Sequence, residues 1–273
     1  MKHIKPYQIF EASAAAPALT QEQIDWLDKC VQGSWKYNSQ TGLVDLHAYR
    51  FDCSKQGLTD LKGVKFGKVS GYFNCENNEL TSLEGAPQSV GGDFHCYSNQ
   101  LTSLVGAPQT VGMSFVCHDN QLTSLEGAPQ SVGGDFSCAN NQLTTLEGSP
   151  QKVGGNFSCA NNQLTTLEGS PQKVGRYFNC HHNQLTTLEG APKTVDGGFY
   201  CEGNPVSEST LKAIFALMKK GMAYQQALEK RWPKMKDEDR VLMYKDKDHF
   251  SLSPEDAKKY KALVTYSNIK NYL

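Results

Sequence analysis

Phe94-His95-Cys96-Tyr97-Ser98-Asn99-Gln100-Leu101-Thr102-Ser103-Leu104, followed by Val105-Gly106-Ala107-Pro108-Gln109-Thr110-Val111-Gly112, is one copy of a pattern that this chain repeats at a fixed period. The pattern is Phe, any residue, Cys, two variable residues, Asn, any residue, Leu, two small polar residues, Leu. Its Phe series is Phe73, Phe94, Phe115, Phe136, Phe157, Phe178 and Phe199, and its Cys series runs every 21 residues from Cys75 to Cys201. A fixed period of this length marks a stacked solenoid, in which each unit buries its apolar face only against its neighbours. Phe and Cys alternate with variable residues, as in a strand with one buried face. The other half of the copy, Thr102 to Gly112, places Gly and Pro where a helix needs neither. The expected fold is therefore a mostly β solenoid with a parallel concave sheet and an extended convex side. A short N-terminal helical cap and an α-helical C-terminal region complete it.

The copies resemble leucine-rich repeats, whose core is Leu-x-Leu-x-x-Asn/Cys-x-Leu over about 20–29 residues. Phe94 and Cys96 stand where Leu is usual, and the resemblance covers residues 51–204. It implies that Asn78, Asn99, Asn120, Asn141, Asn162, Asn183 and Asn204 form a ladder of side-chain hydrogen bonds to the backbone of adjacent coils. The stretch Asn120 to Pro129 and the helical tail after Asn204-Pro205 also resemble leucine-rich-repeat proteins of tailed bacteriophages and bacteria. That resemblance implies a recognition module able to bind a host or defence protein, and the sequence leaves the identity of the protein partner open. A fold alone does not specify a function.

Three regions follow along the chain. Residues 1–50 hold a lead-in (1–18), a helix from Thr20 to Val31 and a hairpin. Thr20 and Gln23 form a capping box, and Ile24, Leu27 and Val31 give the apolar stripe. Trp35 to Tyr37, a turn at Asn38 to Gly42, and Leu43 onward read as the hairpin. Residues 51–204 form about eight coils. The first, at Phe51-Asp52-Cys53, is atypical: Gln56 replaces Asn, and Cys53 to Cys75 is one residue longer than the rule. Residues 205–273 are a helical cap or tail. Glu208 to Lys219 is one helix, Ala223 to Arg231 a second, and Ser253-Pro254-Glu255-Asp256 opens a third with an N-cap, a first-position Pro and two acids.

Composition narrows the function classes. The 273 residues carry a formal net charge of −1, which argues against a whole-chain polyanion binder. Residues 58–204 hold 7 Lys and Arg against 13 Asp and Glu, whereas residues 205–273 hold 14 against 9. Identical inward Cys positions on parallel strands lie about 4.8 Å apart and point the same way, which suits packing and not bridging. Reduced thiols and a cytoplasmic location are expected. The start of the chain lacks the apolar stretch of a signal peptide, and no run is long enough for a membrane helix. No phosphate loop, zinc-protease motif or nucleophile triad is present, so no enzyme activity and no cofactor are expected. His118 and His181 sit three coils apart, about 14 Å, too far to share a metal.

The candidate site lies where the repeat is broken. Four columns face outward from the Phe–Cys strands, and they vary while convex positions are nearly copied. Repeats four and five present a floor of Ser137, Ala139, Ser158 and Ala160. Bulky groups stand on either side: Tyr72, His95, Tyr97 and His118 toward the N-terminus, Tyr177, His181, His182 and Tyr200 toward the C-terminus. Four strand spacings, about 19 Å, separate Tyr97 from Tyr177. A trough with aromatic walls suits a protein segment, because aromatic side chains dominate binding surfaces. A structural or self-association role, and nucleic-acid contact through Lys212, Lys219, Lys220, Lys230, Arg231, Lys234 and Lys236, are the alternatives, with nucleic acid ranked last.

Overall fold

A computed structural model describes residues 15–222, 224–236 and 239–240. The start of the lead-in and the helix expected after Ser253 lie outside the described residues.

The solenoid begins on a cap. Helix α1 (Gln21–Cys30) carries both halves of its capping box, with Gln23 N donating to Thr20 Oγ1 at 3.3 Å and Thr20 N to Gln23 Oε1 at 2.9 Å. It leads into β1 (Val31–Asn38), which pairs antiparallel with β2 (Leu43–Asp52). Strand β2 is ten residues long, and its two halves start two separate ladders. Its C-terminal half pairs in parallel with β4 (Tyr72–Asn74), the first of the Phe strands. After it come β6 (Phe94–His95), β8 (Phe115–Val116), β10 (Phe136–Ser137), β12 (Phe157–Ser158), β14 (Phe178–Asn179) and β16 (Phe199–Tyr200). Its N-terminal half pairs in parallel with β3 (Lys65–Val69). That ladder continues through β5 (Ser89–Val90), β7 (Thr110–Val111), β9 (Ser131–Val132), β11 (Lys152–Val153), β13 (Lys173–Val174) and β15 (Thr194–Val195). The return half of each copy is thus extended and helix-free, as its Gly and Pro require. It goes beyond expectation in forming a second parallel ladder.

The core is a stack of identical side chains. Rings from Phe73 to Phe199 lie face to face, with centroids 5.3–5.6 Å apart and planes within 19°. Such offset stacks add to the area each Phe buries. The nine cysteines are free and buried. Most of the thiols along the stack donate to the carbonyl of the following coil, as Cys117 Sγ does to Ser137 O at 3.2 Å. Burial pushes these thiols well above their ordinary pKa, so they pack as neutral groups.

The Asn ladder that the resemblance implies is present. Asn141 Nδ2 donates to Cys117 O (3.2 Å), Cys138 O (3.0 Å) and Ala139 O (3.1 Å), while its Oδ1 accepts from Leu122 N at 3.0 Å. One buried amide therefore satisfies backbone groups in two coils that the turn would otherwise orphan. In the first coil Gln56 takes another task. Its Oε1 accepts from Trp26 Nε1 at 3.1 Å, tying the coil to α1. The extra residue of that coil is absorbed within β3, where Phe66 enters the core 5.0 Å from Phe51 and 5.2 Å from Phe73. Glycine is required at the corner between the two ladders. A Cβ on Gly112, Gly133 or Gly154 would meet the carbonyl oxygen of the preceding coil at 2.0–2.1 Å.

The far end is closed by α2 (Glu208–Met218), whose Phe215 stacks on Phe199 at 4.1 Å. Helix α3 (Tyr224–Arg231) follows and ends in a 3-10 turn at Trp232–Lys234, where Pro233 forbids continuation. Asp239 ties the end of this cap back to the start of α2. It accepts from Ser207 N (2.9 Å), Ser207 Oγ (2.6 Å) and Thr210 Oγ1 (2.6 Å) while buried.

Candidate functional site on the Phe–Cys face

The four outward columns differ in what the backbone asks of them. The position just before each ladder Asn has a left-handed conformation at Asn77, Ser98, Asp119, Asn140, Asn161 and His182, with φ between 50° and 54°. Asn, Asp and Gly tolerate that region best, so this column is set largely by the turn. His182 is the bulky exception. The position before each Phe carries a second ladder. Ser114 N donates to Asp93 Oδ1 at 2.7 Å, Asn156 N to Asp135 Oδ1 at 2.6 Å and Tyr177 N to Asn156 Oδ1 at 3.1 Å. The polar members between Tyr72 and Tyr177 thus serve amides of the next coil. Variation in these two columns has a structural component that the repeat alone did not disclose.

What remains gathers into two groups. Toward the N-terminus four side chains of coils 2 to 4 touch in series. The Tyr72 hydroxyl lies 2.7 Å from His95 Nδ1, His95 packs 5.7 Å from Tyr97, and Tyr97 stacks on His118 at 4.5 Å with planes 20° apart. Arg50 lies over the Tyr72 ring, 5.5 Å from its centre, and pairs with Asp52. Glu76 adjoins the group, with Oε2 3.9 Å from His95 Nδ1. Burial, then the hydrogen bond and charge of Glu76, push the Tyr97 hydroxyl up to about 12. Burial pulls His95 below its ordinary value although Asp93 and Glu76 oppose it, which favours the neutral ring. His118 holds Asp119, with Nδ1 2.6 Å from Oδ2.

Toward the C-terminus the contacts are looser. Tyr177 and Tyr200 meet edge to face at 5.6 Å and are 48% and 40% exposed, unusual for large aromatic groups. His181 and His182 meet at 5.0 Å, and burial followed by the neighbouring His182 lowers the His181 pKa. The structure thus joins Tyr72, His95, Tyr97 and His118 into one cluster, pairs Tyr177 with Tyr200, and pairs His181 with His182. Between the groups lie Ser137, Ala139, Ser158 and Ala160, flush with the strands. Among the described residues no three His, Cys, Asp or Glu side chains are placed to hold a metal. No described helix is long and apolar enough to cross a membrane.

Three participants are not among the aromatic candidates. Arg50 and Asp52 belong to the first coil, opposite Tyr72 and Asn74 in register. Extending the columns back by the anomalous spacing of 22 residues would have found them. Glu76 stands in a variable column but announces nothing as a lone carboxylate. Beside the cluster, at the corner between the ladders, is an open depression of about 700 Å³ whose walls include Tyr49, Arg50, Tyr72 and Met113. Met113 takes the place held by Gly92 and Gly134 in neighbouring copies and is 56% exposed.

No protein-family model matches the chain, and no curated protein matches it.

Proposed function

We propose that this chain is a non-enzymatic, cytoplasmic recognition module of the leucine-rich-repeat type that binds a protein segment along its Phe–Cys face. The observation that carries this reading is the contrast within each coil. Inward side chains and the Asn ladder are the same from copy to copy, whereas outward positions bear two aromatic groups flanking a floor of small residues. Exposed tyrosines supply large, amphipathic contact area at modest entropic cost, and such anchors dominate interface energies. The resemblance to repeat proteins of tailed bacteriophages and bacteria makes a host or defence protein one class of partner to look for, with its identity open.

Nucleic acid fits this face poorly. Phosphate binding needs Lys and Arg, and the four outward columns of coils 2 to 8 contain neither. The test is paired affinity capture from the native host, with mass spectrometry, using the unaltered chain and two variants. Replacing Tyr97, His118, Tyr177 and His181 together by Ala should lose the proteins that the unaltered chain recovers. Replacing Gln109 and Gln130 on the convex side should retain them. Loss through the convex pair, or through reversal of Lys219, Lys220, Lys230 and Arg231 to Glu, would place the interface elsewhere. Recovery of nucleic acid that disappears with those reversals would favour the tail.

A further inference from the structure

We infer that the segment received by this face is basic, and that one of its Lys or Arg side chains seats against Tyr97 and Glu76. The inference rests on the recognition role proposed above and specifies the chemistry of the partner.

The first observation is the placement of charge. Residues 58–204 contain seven cationic side chains: Lys62, Lys65, Lys68, Lys152, Lys173, Arg176 and Lys193. None occupies an outward column of the Phe–Cys face. Five carboxylates do: Glu76, Asp93, Asp119, Asp135 and Glu202. Only the first coil contributes cations to these columns, through Arg50 and Lys55, and Arg50 is engaged by Asp52. Burial disfavours the protonated form of His95 and of His181. A surface of one sign raises the local concentration of segments of the other and speeds their encounter.

The second observation is local. Asp93 and Asp135 are occupied by backbone amides of the next coil, and Asp119 by His118 and Asn140. Glu76 is different. Its side chain is only 13% exposed, and among the described residues it has no Lys or Arg partner. A partly buried carboxylate lacking a cation is the group on this face that gains most from an incoming one. Beside it the Tyr97 ring, backed by His118, offers the quadrupole face that guanidinium and ammonium groups favour. Charge and aromatic face therefore converge on one place in coils 2 to 4.

The test uses the full chain and two labelled nonapeptides, acetyl-(Gly-Arg-Ser)3-amide and acetyl-(Gly-Glu-Ser)3-amide, read by fluorescence anisotropy at low ionic strength. The arginine peptide should bind at least about tenfold more tightly than the glutamate peptide. Glu76→Gln, which keeps the side-chain shape, should weaken the arginine peptide by about fivefold, and Tyr97→Ala by a similar factor. Glu147→Gln, which removes an exposed convex carboxylate, should change it less than about twofold. Unchanged thermal unfolding of each variant keeps the comparison free of folding effects. Equal binding of the two peptides, no binding of the arginine peptide, or equal effects of Glu76→Gln and Glu147→Gln would overturn the inference. If that happens while the four Ala replacements on the face still abolish partner capture, the recognition role stands and only the basic partner falls.

Discussion

Asn141 and Ala139 lie two residues apart in the same turn, yet their columns behave in opposite ways. The Asn column is Asn in all seven copies, and each amide bridges two coils through hydrogen bonds that nothing else in the turn could make. The column of Ala139 reads Glu76, Tyr97, His118, Ala139, Ala160, His181, Glu202, and its side chains meet other outward groups or solvent. Repetition therefore marks positions whose geometry one coil imposes on the next. Variation marks positions free to serve something else, provided the backbone makes no demand there. That proviso matters, since the left-handed column and the Asp93–Asn156 ladder vary in sequence and still carry structural duties.

The sharpest way to break this contrast is to cut the scaffold in the middle. Phe136→Ala removes a ring stacked on both neighbours and should cost about 3–5 kcal/mol, read by urea unfolding. Because coils contact only their neighbours, the loss should also weaken the coupling between the two halves and broaden the transition. Asn141→Ala strands buried backbone groups in two coils and should cost about 2–4 kcal/mol in the same assay. Ala139→Ser, two residues away, should change stability by less than about 0.5 kcal/mol. Comparable costs for Asn141→Ala and Ala139→Ser would erase the distinction between the columns.

The C-terminal cap sharpens the comparison from another side. Burial favours the neutral form of Asp239, but the hydrogen bonds from Ser207 and Thr210 outweigh it and hold the carboxyl below its ordinary range. A depressed folded-state value contributes stability that is fully present above the unfolded pKa, about 3.9, and is lost as pH falls through the folded one. The tie between Asp239 and the start of α2 should therefore be intact at neutral pH and weaken below about pH 4. Asp239→Asn should cost about 1–2 kcal/mol at neutral pH and little in acid, followed by the helical circular-dichroism signal, to which the solenoid contributes little. An equal cost at both pH values would show that the carboxylate charge is not what holds the cap.

Most of the fold was legible in the sequence because the repeat states each constraint several times. The period, the Phe–Cys alternation and the Gly and Pro of the return half dictated a helix-free coil. The capping box at Thr20 and Gln23 placed α1. The second ladder was not legible, since two-residue strands such as Thr110–Val111 leave no periodic signal of their own. The tie through Asp239 was hidden as well, because it joins residues about thirty positions apart through side chains that look unremarkable singly. At the candidate site the aromatic members could be named from their columns, but their grouping could not. Only register between coils brings Tyr97 onto His118 and Glu76 to Tyr97 and His95.

The smallest expected effects are on the face itself. Tyr97→Ala and His118→Ala leave the Phe stack and Asn ladder untouched and should lower stability by less than about 1 kcal/mol. Either should weaken partner binding by about tenfold or more.

The claim that this face is the interface is tested most directly by hydroxyl-radical footprinting of the chain with and without its captured partner. Labelling of Tyr97, His118, Tyr177 and Tyr200 should fall severalfold in the complex, while Met113 at the corner and Met222 in the tail keep their reactivity. Unchanged labelling of those four side chains, with protection of Met113 or Met222 instead, would contradict the account.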